Sequence, residues 1–185
     1  MWVHNTDDLN NIVCFLSQNY ALSRDINIDG EFESIYVSEP VGKAFSGHFD
    51  GDGHTISNAH IISKTDQNDI GLFGIIGEHE HGHSRIENLR LENITVSGGD
   101  RIGALAGTAV YTYFSNITIN NITINGNVIG GMAGTMEDSQ IEEGTFYYSN
   151  VTLSPDADYK GVLSGAVRHP TKIPHYTLIG LGIQG

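Results

Sequence analysis

Residues 102–107 read IGALAG, and variants of this hexapeptide return along the chain at nearly constant spacing. The variants are IGLFG at 70–74, IGGMAG at 129–134 and KGVLSG at 160–165. The repeats end at Gly74, Gly107, Gly134 and Gly165, and these glycines are 33, 27 and 31 residues apart. Repetition at a period of this length is typical of a solenoid, in which each repeat stacks on its neighbours.

Two series of asparagines recur along the chain with a period close to that of the glycines. One series begins the tetrapeptides NITV, NITI and NVTL at Asn93, Asn121 and Asn150, and the other consists of Asn58, Asn88 and Asn116. Asparagine tolerates the left-handed backbone of a sharp corner, and asparagines repeated at one corner can hydrogen-bond along a stack. We therefore expect the four closing glycines to be structural and the asparagines to form a ladder.

Apolar and polar residues alternate inside the short segments between these asparagines, as in strands with one buried side. Thr95, Thr123 and Thr152 hold the same place in the three tetrapeptides, which predicts a column of threonines on an exposed strand face. A repeat of about 28 residues with three short strands has the size of one β-helix turn. The sequence therefore predicts an all-β fold, a right-handed parallel β-helix of about 4–5 turns.

The chain is predicted to be a single domain over residues 1–185. An α-helical cap is expected over 6–18, with Thr6 as its N-cap and apolar residues at helical spacing. The repeat turns are expected over 20–165, in the segments 20–40 and 45–74 and then to residues 107, 134 and 165. Residues 78–84 are expected to form a protruding loop, and residues 166–185 an irregular C-terminal end or cap.

Composition limits the functions that the chain can have. Nine Lys and Arg against 22 Asp and Glu give a net charge of −13, which repels phosphate backbones and argues against a nucleic-acid partner. No run approaches the roughly 18 apolar residues of a membrane span, and no signal peptide is recognised. We expect the cell surface or secretion if the chain is part of a larger protein. Cys14 is expected to be a small buried apolar residue.

A longer motif joins these repeats, FSGHFDGDGHTI at residues 45–56, and YALSRDI stands at residues 20–26. Together with the glycine-framed repeats, they resemble the bacterial GLUG-repeat β-helix family over about residues 9–165. Such modules occur in adhesin-like surface proteins and in the N-terminal regions of IgA-specific metallopeptidases. The resemblance implies the β-helix fold and a tight glycine corner at DGDGH (50–54) rather than a calcium loop. It implies no protease chemistry here.

One segment departs from the repeat pattern and carries candidate metal ligands. Three histidines alternate in EHEHGH, residues 78–83, so that an extended backbone would point them to one side. Imidazole is a ligand for zinc, copper and nickel, so His79, His81 and His83 are candidate ligands for a divalent transition metal. The alternative is a solvated polar loop. No other cofactor is expected.

No catalytic group of residues is evident in the sequence. The nearest carboxylate pairs are Glu137 with Asp138 and Glu142 with Glu143, and the acidic residues Asp25, Asp29, Glu31 and Glu33 are expected to be solvated. We therefore expect a non-enzymatic β-solenoid module for surface presentation, adhesion, or binding of a protein or glycan ligand. A polysaccharide-active lyase or glycosidase is one alternative. Metal-assisted binding through His79, His81 and His83 is the other.

Overall fold

A computed structural model describes residues 1–36, 44–63, 67–78, 83–142 and 147–168 of the chain. Its helical part is a short α-helix, α1 (Thr6–Asn10), followed by a 3₁₀ helix (Asn11–Cys14). The strands in the described ranges are β1 (Trp2–Val3), β2 (Tyr20–Leu22), β3 (Ile26–Glu33), β4 (His48–Asp50), β5 (Thr55–Ile62), β6 (Asp69–Ile70), β7 (Phe73–Ile76), β8 (Ser84–Ser97), β9 (Arg101–Gly103), β10 (Ala106–Val110), β11 (Thr112–Asn125), β12 (Val128–Gly130), β13 (Ala133–Glu137), β14 (Gln140–Ile141), β15 (Tyr147–Leu153), β16 (Tyr159–Gly161) and β17 (Ser164–Arg168).

These strands form three parallel sheets, in which each strand pairs with strands from the turns before and after it. A nine-stranded sheet contains β1 to β5, β8, β11, β14 and β15. Two four-stranded sheets have the orders β7-β10-β13-β17 and β6-β9-β12-β16. The predicted parallel β-solenoid is confirmed, with about five turns. Within the described residues, no helix is long and apolar enough to cross a membrane.

Strands β8 and β11 are each bent twice at asparagines with left-handed backbone. Asn88 and Asn93 have φ of 53° and 54°, and Asn116 and Asn121 have φ of 50° and 54°. The bends divide the nine-stranded sheet into three flat outward surfaces. The first face is built on residues 84–87 and 112–115, the second on 89–92 and 117–120, and the third on 94–97 and 122–125.

The core is a stack of apolar side chains that the strand register aligns from turn to turn. One such column contains Tyr20, Phe49, Ile86, Phe114 and Ile141, all of which are buried. The rings of Phe45 and Phe49 also lie 4.8 Å and 5.5 Å from the ring of Phe73. This continuous apolar column removes large side chains from water in every turn and is the main source of stability.

Three of the four closing repeat glycines lie where backbone contacts backbone, whereas the space beside Gly74 is occupied by the side chain of Gln67. A Cβ atom on Gly107 would lie 2.4 Å from the amide nitrogen of Ile70, and one on Gly134 would lie 2.4 Å from that of Ile102. A Cβ on Gly165 would similarly be 2.8 Å from the nitrogen of Ile129. The two four-stranded sheets therefore approach each other too closely for any side chain at these positions.

The N-terminal cap is shorter than the predicted helix over 6–18, and Thr6 is not its N-cap. Asn5 holds that position, because its Oδ1 accepts a hydrogen bond from the backbone N–H of Asp8 at 2.9 Å. The cap buries Leu9 and Ile12 against the first turn. Cys14 is exposed, contrary to the prediction, because it follows the buried Ile12 by two residues and therefore lies on a different side of the 3₁₀ helix.

Two boundaries of the repeat region also differ from the prediction. Phe45 pairs with Ile76, as Ile35 pairs with Phe73, so it completes the first turn instead of beginning the second. At the other end, β17 pairs with β13 up to Arg168, three residues beyond the predicted end at Gly165. The expectation for residues 169–185 lies outside the described residues.

Candidate functional site

Asparagine side chains form two hydrogen-bonded ladders at the edges of the second face. Along one edge, the Nδ2 atoms of Asn58, Asn93 and Asn121 donate to the Oδ1 atoms of Asn27, Asn58 and Asn93 at 2.8, 3.0 and 2.6 Å. Asn150 is exposed one turn further on, with φ of 52°. Along the other edge, Asn116 donates to Asn88 and Asn88 to Asp50, both at 3.0 Å.

The grouping of Asn58 with Asn88 and Asn116 is wrong. Strand pairing places Asn58 opposite Asn93, because its neighbours Ser57 and Ala59 pair with Glu92 and Ile94. The corner at residues 51–54 has four residues where the next turn has two, residues 88–89. Asn58 and Asn93 are 35 residues apart, whereas Asn93 and Asn121 are 28 apart, so seven extra residues in this turn bring Asn88, at the preceding corner, close to the interval expected for Asn93.

The three threonines lie in line on the third face. Thr95 pairs with Thr123, and Thr123 pairs with Thr152, in the register of consecutive turns. His60 occupies the same line one turn earlier and hydrogen-bonds the hydroxyl of Ser97 at 3.0 Å. This face therefore presents small hydroxyl groups at the spacing of the turns, about 4.8 Å.

The first face carries a charged network that sequence reasoning missed. The guanidinium of Arg85 binds both carboxylate oxygens of Glu142, and its Nη1 lies 3.5 Å from Glu87. Glu87 also accepts from Ser115 at 3.2 Å, and its other oxygen lies 2.9 Å from His48. The hydrogen bond that Arg85 donates to Glu142 raises the pKa of Arg85 above its usual value, so this guanidinium stays charged.

Aromatic rings border this network. The guanidinium carbon of Arg85 lies 5.4 Å from the ring centroid of Tyr113, and the His83 ring lies 4.3 Å from the same ring. The Nδ1 atom of His83 is 3.3 Å from the carbonyl oxygen of Tyr111. His79 and His81 lie outside the described residues. Among those that are described, no group of three His, Cys, Asp or Glu is arranged to hold a metal ion.

Of the two candidate carboxylate pairs, the structure describes Glu137, Asp138 and Glu142. Asp138 is a corner residue with φ of 45°, Glu142 belongs to the Arg85 network, and Glu143 lies outside the described residues. Glu87 and Glu142 do converge, but on one guanidinium, so they form an ion-pair network. Asp25 is also engaged, because it accepts from the backbone N–H of Thr55 at 2.9 Å. This hydrogen bond lowers the pKa of Asp25.

A second ion pair joins the turns on the opposite side of the solenoid. Arg101 donates two hydrogen bonds of 2.6 Å to Asp69, which is one turn earlier, and Thr108 donates to the same carboxylate. This interaction raises the pKa of Arg101. The Asp69 side chain is nearly buried, and its carboxylate oxygens bind Arg101 and Thr108. The arrangement connects strands and leaves little carboxylate surface for a ligand.

The second face contains a shallow cavity of about 260 Å³. Its floor is Thr118, and the side chains of Arg90 and Tyr147 rise from the turns on either side. The remaining lining comes from Asp52, Gly53, Asn88 and Asn116. A larger cavity of about 430 Å³ lies between the cap and the first turn, where Glu31 and Glu33 contribute to its walls.

Comparisons with known proteins find short regions of similarity in two long proteins. The chain is 35% identical over 136 residues to halomucin from Haloquadratum walsbyi, and the match covers 65% of this chain and 1% of halomucin. It is 35% identical over 118 residues to a protein of Evansella cellulosilytica described as a Gly-rich membrane protein, covering 60% of this chain and 13% of that protein. No family model and no solved structure matches.

Proposed function

We propose that this chain is a non-enzymatic recognition module of a larger surface protein, which binds a glycan or protein ligand through the outward faces of its nine-stranded sheet. The observation that carries this proposal is the pairing of outward polar side chains from one turn to the next. The ladder from Asn58 to Asn121 and the bridge from Arg85 to Glu142 hold side chains of different turns in fixed positions. A preorganised polar surface loses less conformational entropy when it binds a ligand.

The chemistry of the faces favours binding over catalysis. A glycoside hydrolase needs two carboxyl groups that are open to the substrate on either side of the scissile bond. Glu87 and Glu142 are instead bound to Arg85. Paired amides, hydroxyls and an aromatic ring are the groups with which proteins bind polar ligands without changing them.

The two relatives support a role as one module within a longer chain, since the matched region is 1% of halomucin and 13% of the Gly-rich membrane protein. The description of the second relative as a membrane protein supports a place at the cell surface. The resemblance to GLUG-repeat modules of adhesin-like proteins agrees with both inferences.

The test is a broad glycan array with the purified protein, followed by mass analysis of the glycans that bind. We expect selective binding and unchanged glycan masses. Cleaved glycans would contradict the non-enzymatic role, and failure to bind any glycan or any protein of a cell-surface extract would contradict recognition. A variant with His79, His81 and His83 changed to alanine tests the metal alternative, which requires that binding disappear in this variant and in the presence of a chelator.

A further inference from the structure

The cavity on the second face is created by the order of side-chain sizes along one column. Arg90, Thr118 and Tyr147 are aligned by the strand register, so the short threonine separates two long side chains. Since neighbouring turns are about 4.8 Å apart, the two long side chains start about 9.5 Å apart. A volume of about 260 Å³ lies below the roughly 300–1,000 Å³ of pockets for drug-sized ligands, and suits a single sugar ring.

The extra residues of the preceding corner close one side of this cavity. Asp52 has φ of 49° and Gly53 has φ of 77°, so the two residues form a tight projection beside the ladder of Asn88 and Asn116. A Cβ atom on Gly53 would have no neighbour within 4 Å, which shows that the projection stands in open space. The corner thus adds a wall that the later turns lack at their single left-handed residues, Asn88 and Asn116.

Unlike the first face, the cavity has no ion pair among its described lining residues, although Asn88 and Asn116 at its edge are hydrogen-bonded to each other. Among the described residues, none forms an ion pair or a side-chain hydrogen bond with the guanidinium of Arg90. The Tyr147 side chain is exposed, with 43% of its surface accessible. Arg90 therefore offers donors, Asp52 offers acceptors, and the tyrosine ring offers an apolar surface.

The charges in and around the cavity select against an anionic ligand. The lining has one cation, Arg90, and one carboxylate, Asp52, and a second carboxylate, Asp25, interacts with the charge of Arg90, while the chain as a whole carries a net charge of −13, which repels anions. A pyranose ring without a charged substituent has hydroxyls that both donate and accept, and C–H groups that pack on an aromatic ring. These properties match the donors, the acceptors and the ring of this cavity.

We propose that this cavity binds one neutral pyranose residue of a glycan chain. The sugar ring packs against Tyr147, Arg90 donates to its hydroxyl oxygens, and Asp52 accepts from a hydroxyl. This assignment rests on the proposed function and locates it on the second face.

The test measures binding of cello-, malto-, manno- and galactotetraose and of tetragalacturonate by isothermal titration. We expect at least one neutral tetraose to bind with a Kd of about 1 mM or lower. Tyr147→Ala and Arg90→Gln should each weaken its binding by about tenfold, since each removes one principal contact. Tyr147→Phe keeps the ring and should stay within about threefold of the native protein. Far-UV circular dichroism confirms that each variant is folded.

Tyr159→Ala is the matched control, because Tyr159 is an exposed tyrosine of the same turn that belongs to another sheet. Its binding should equal that of the native protein. Binding of tetragalacturonate alone, or neutral binding that folded Tyr147→Ala and Arg90→Gln proteins retain, would overturn the assignment but leave the recognition function intact. If no tetraose binds while the broad array is positive, the assignment likewise fails alone. A negative array together with negative titrations would overturn both.

Discussion

Asn93 donates a hydrogen bond of 3.0 Å to the side chain of Asn58, 35 residues earlier, and both residues have left-handed backbone. The same residue type thus satisfies two requirements of a corner. Asparagine adopts the left-handed backbone of the corner at a lower energetic cost than most residues. Its side-chain amide also connects consecutive turns of the solenoid. Repetition of this pair along the stack explains why asparagine recurs with the period of the solenoid.

Asn93→Ala and Asn93→Gly separate these two contributions. Alanine loses the ladder hydrogen bonds and places a Cβ in left-handed backbone, so we expect it to lower the free energy of unfolding by about 2–4 kcal/mol. Glycine loses the hydrogen bonds alone and should cost about 1–2 kcal/mol. Urea denaturation measures both values. Equal losses in the alanine and glycine variants would show that a Cβ atom causes no strain in the left-handed backbone at this position.

Gly107→Ala tests the contact between the two four-stranded sheets. The new Cβ would meet the amide nitrogen of Ile70 at 2.4 Å, and a backbone atom moves only if the sheets separate. We expect a loss of about 2–4 kcal/mol. Gly53→Ala is the control, since it has positive φ but open space around the Cβ, and should cost about 1 kcal/mol. A Gly107→Ala protein as stable as the control would contradict the close packing.

The Asp69–Arg101 pair is expected to connect consecutive turns energetically. The Asp69 side chain is 8% exposed and that of Arg101 is 36% exposed, so solvent weakens the interaction only in part. We expect Asp69→Asn to lower the free energy of unfolding by about 2 kcal/mol. A double-mutant cycle with Arg101→Gln should give a coupling energy of about 1 kcal/mol. A coupling energy of zero would mean that the two side chains act independently.

The lowered pKa of Asp25 predicts that the folded protein loses a small part of its stability in acid. Its pKa is lowered in the folded protein, first by the backbone hydrogen bond from Thr55, relative to a usual value of 3.8. The ionised form therefore stabilises the fold fully above pH 3.8, and this contribution is lost as the pH falls through the lower folded pKa. Because the side chain is 74% exposed, the effect should be at most about 0.5 kcal/mol.

Asp25→Asn provides the comparison for this prediction. At pH 7 the variant should be slightly less stable than the native protein, and the difference should disappear toward pH 2. Urea titrations at several pH values measure this difference. A constant difference across that range would contradict the assigned pKa shift.

The repeats in the sequence predict the solenoid because the same local structure, a corner or a close backbone contact, requires the same residue type in every turn. Gly107 and Gly134 are recognisable for this reason. The bridge from Arg85 to Glu142 spans 57 residues and two turns, so its prediction requires the length of every corner between them. Seven extra residues between Asn58 and Asn93, compared with the interval from Asn93 to Asn121, already misplace Asn58 by one corner. The cavity between Arg90 and Tyr147 depends on the same register and was missed as well.

The central proposal for this protein is that the outward faces of its nine-stranded sheet bind the ligand. Chemical-shift mapping of backbone amides during titration with a glycan selected on the array tests this claim most directly. We predict the largest shifts at Arg90, Thr118 and Tyr147, with little change in the two four-stranded sheets. Shifts concentrated in β9, β10, β12 and β13 would contradict it.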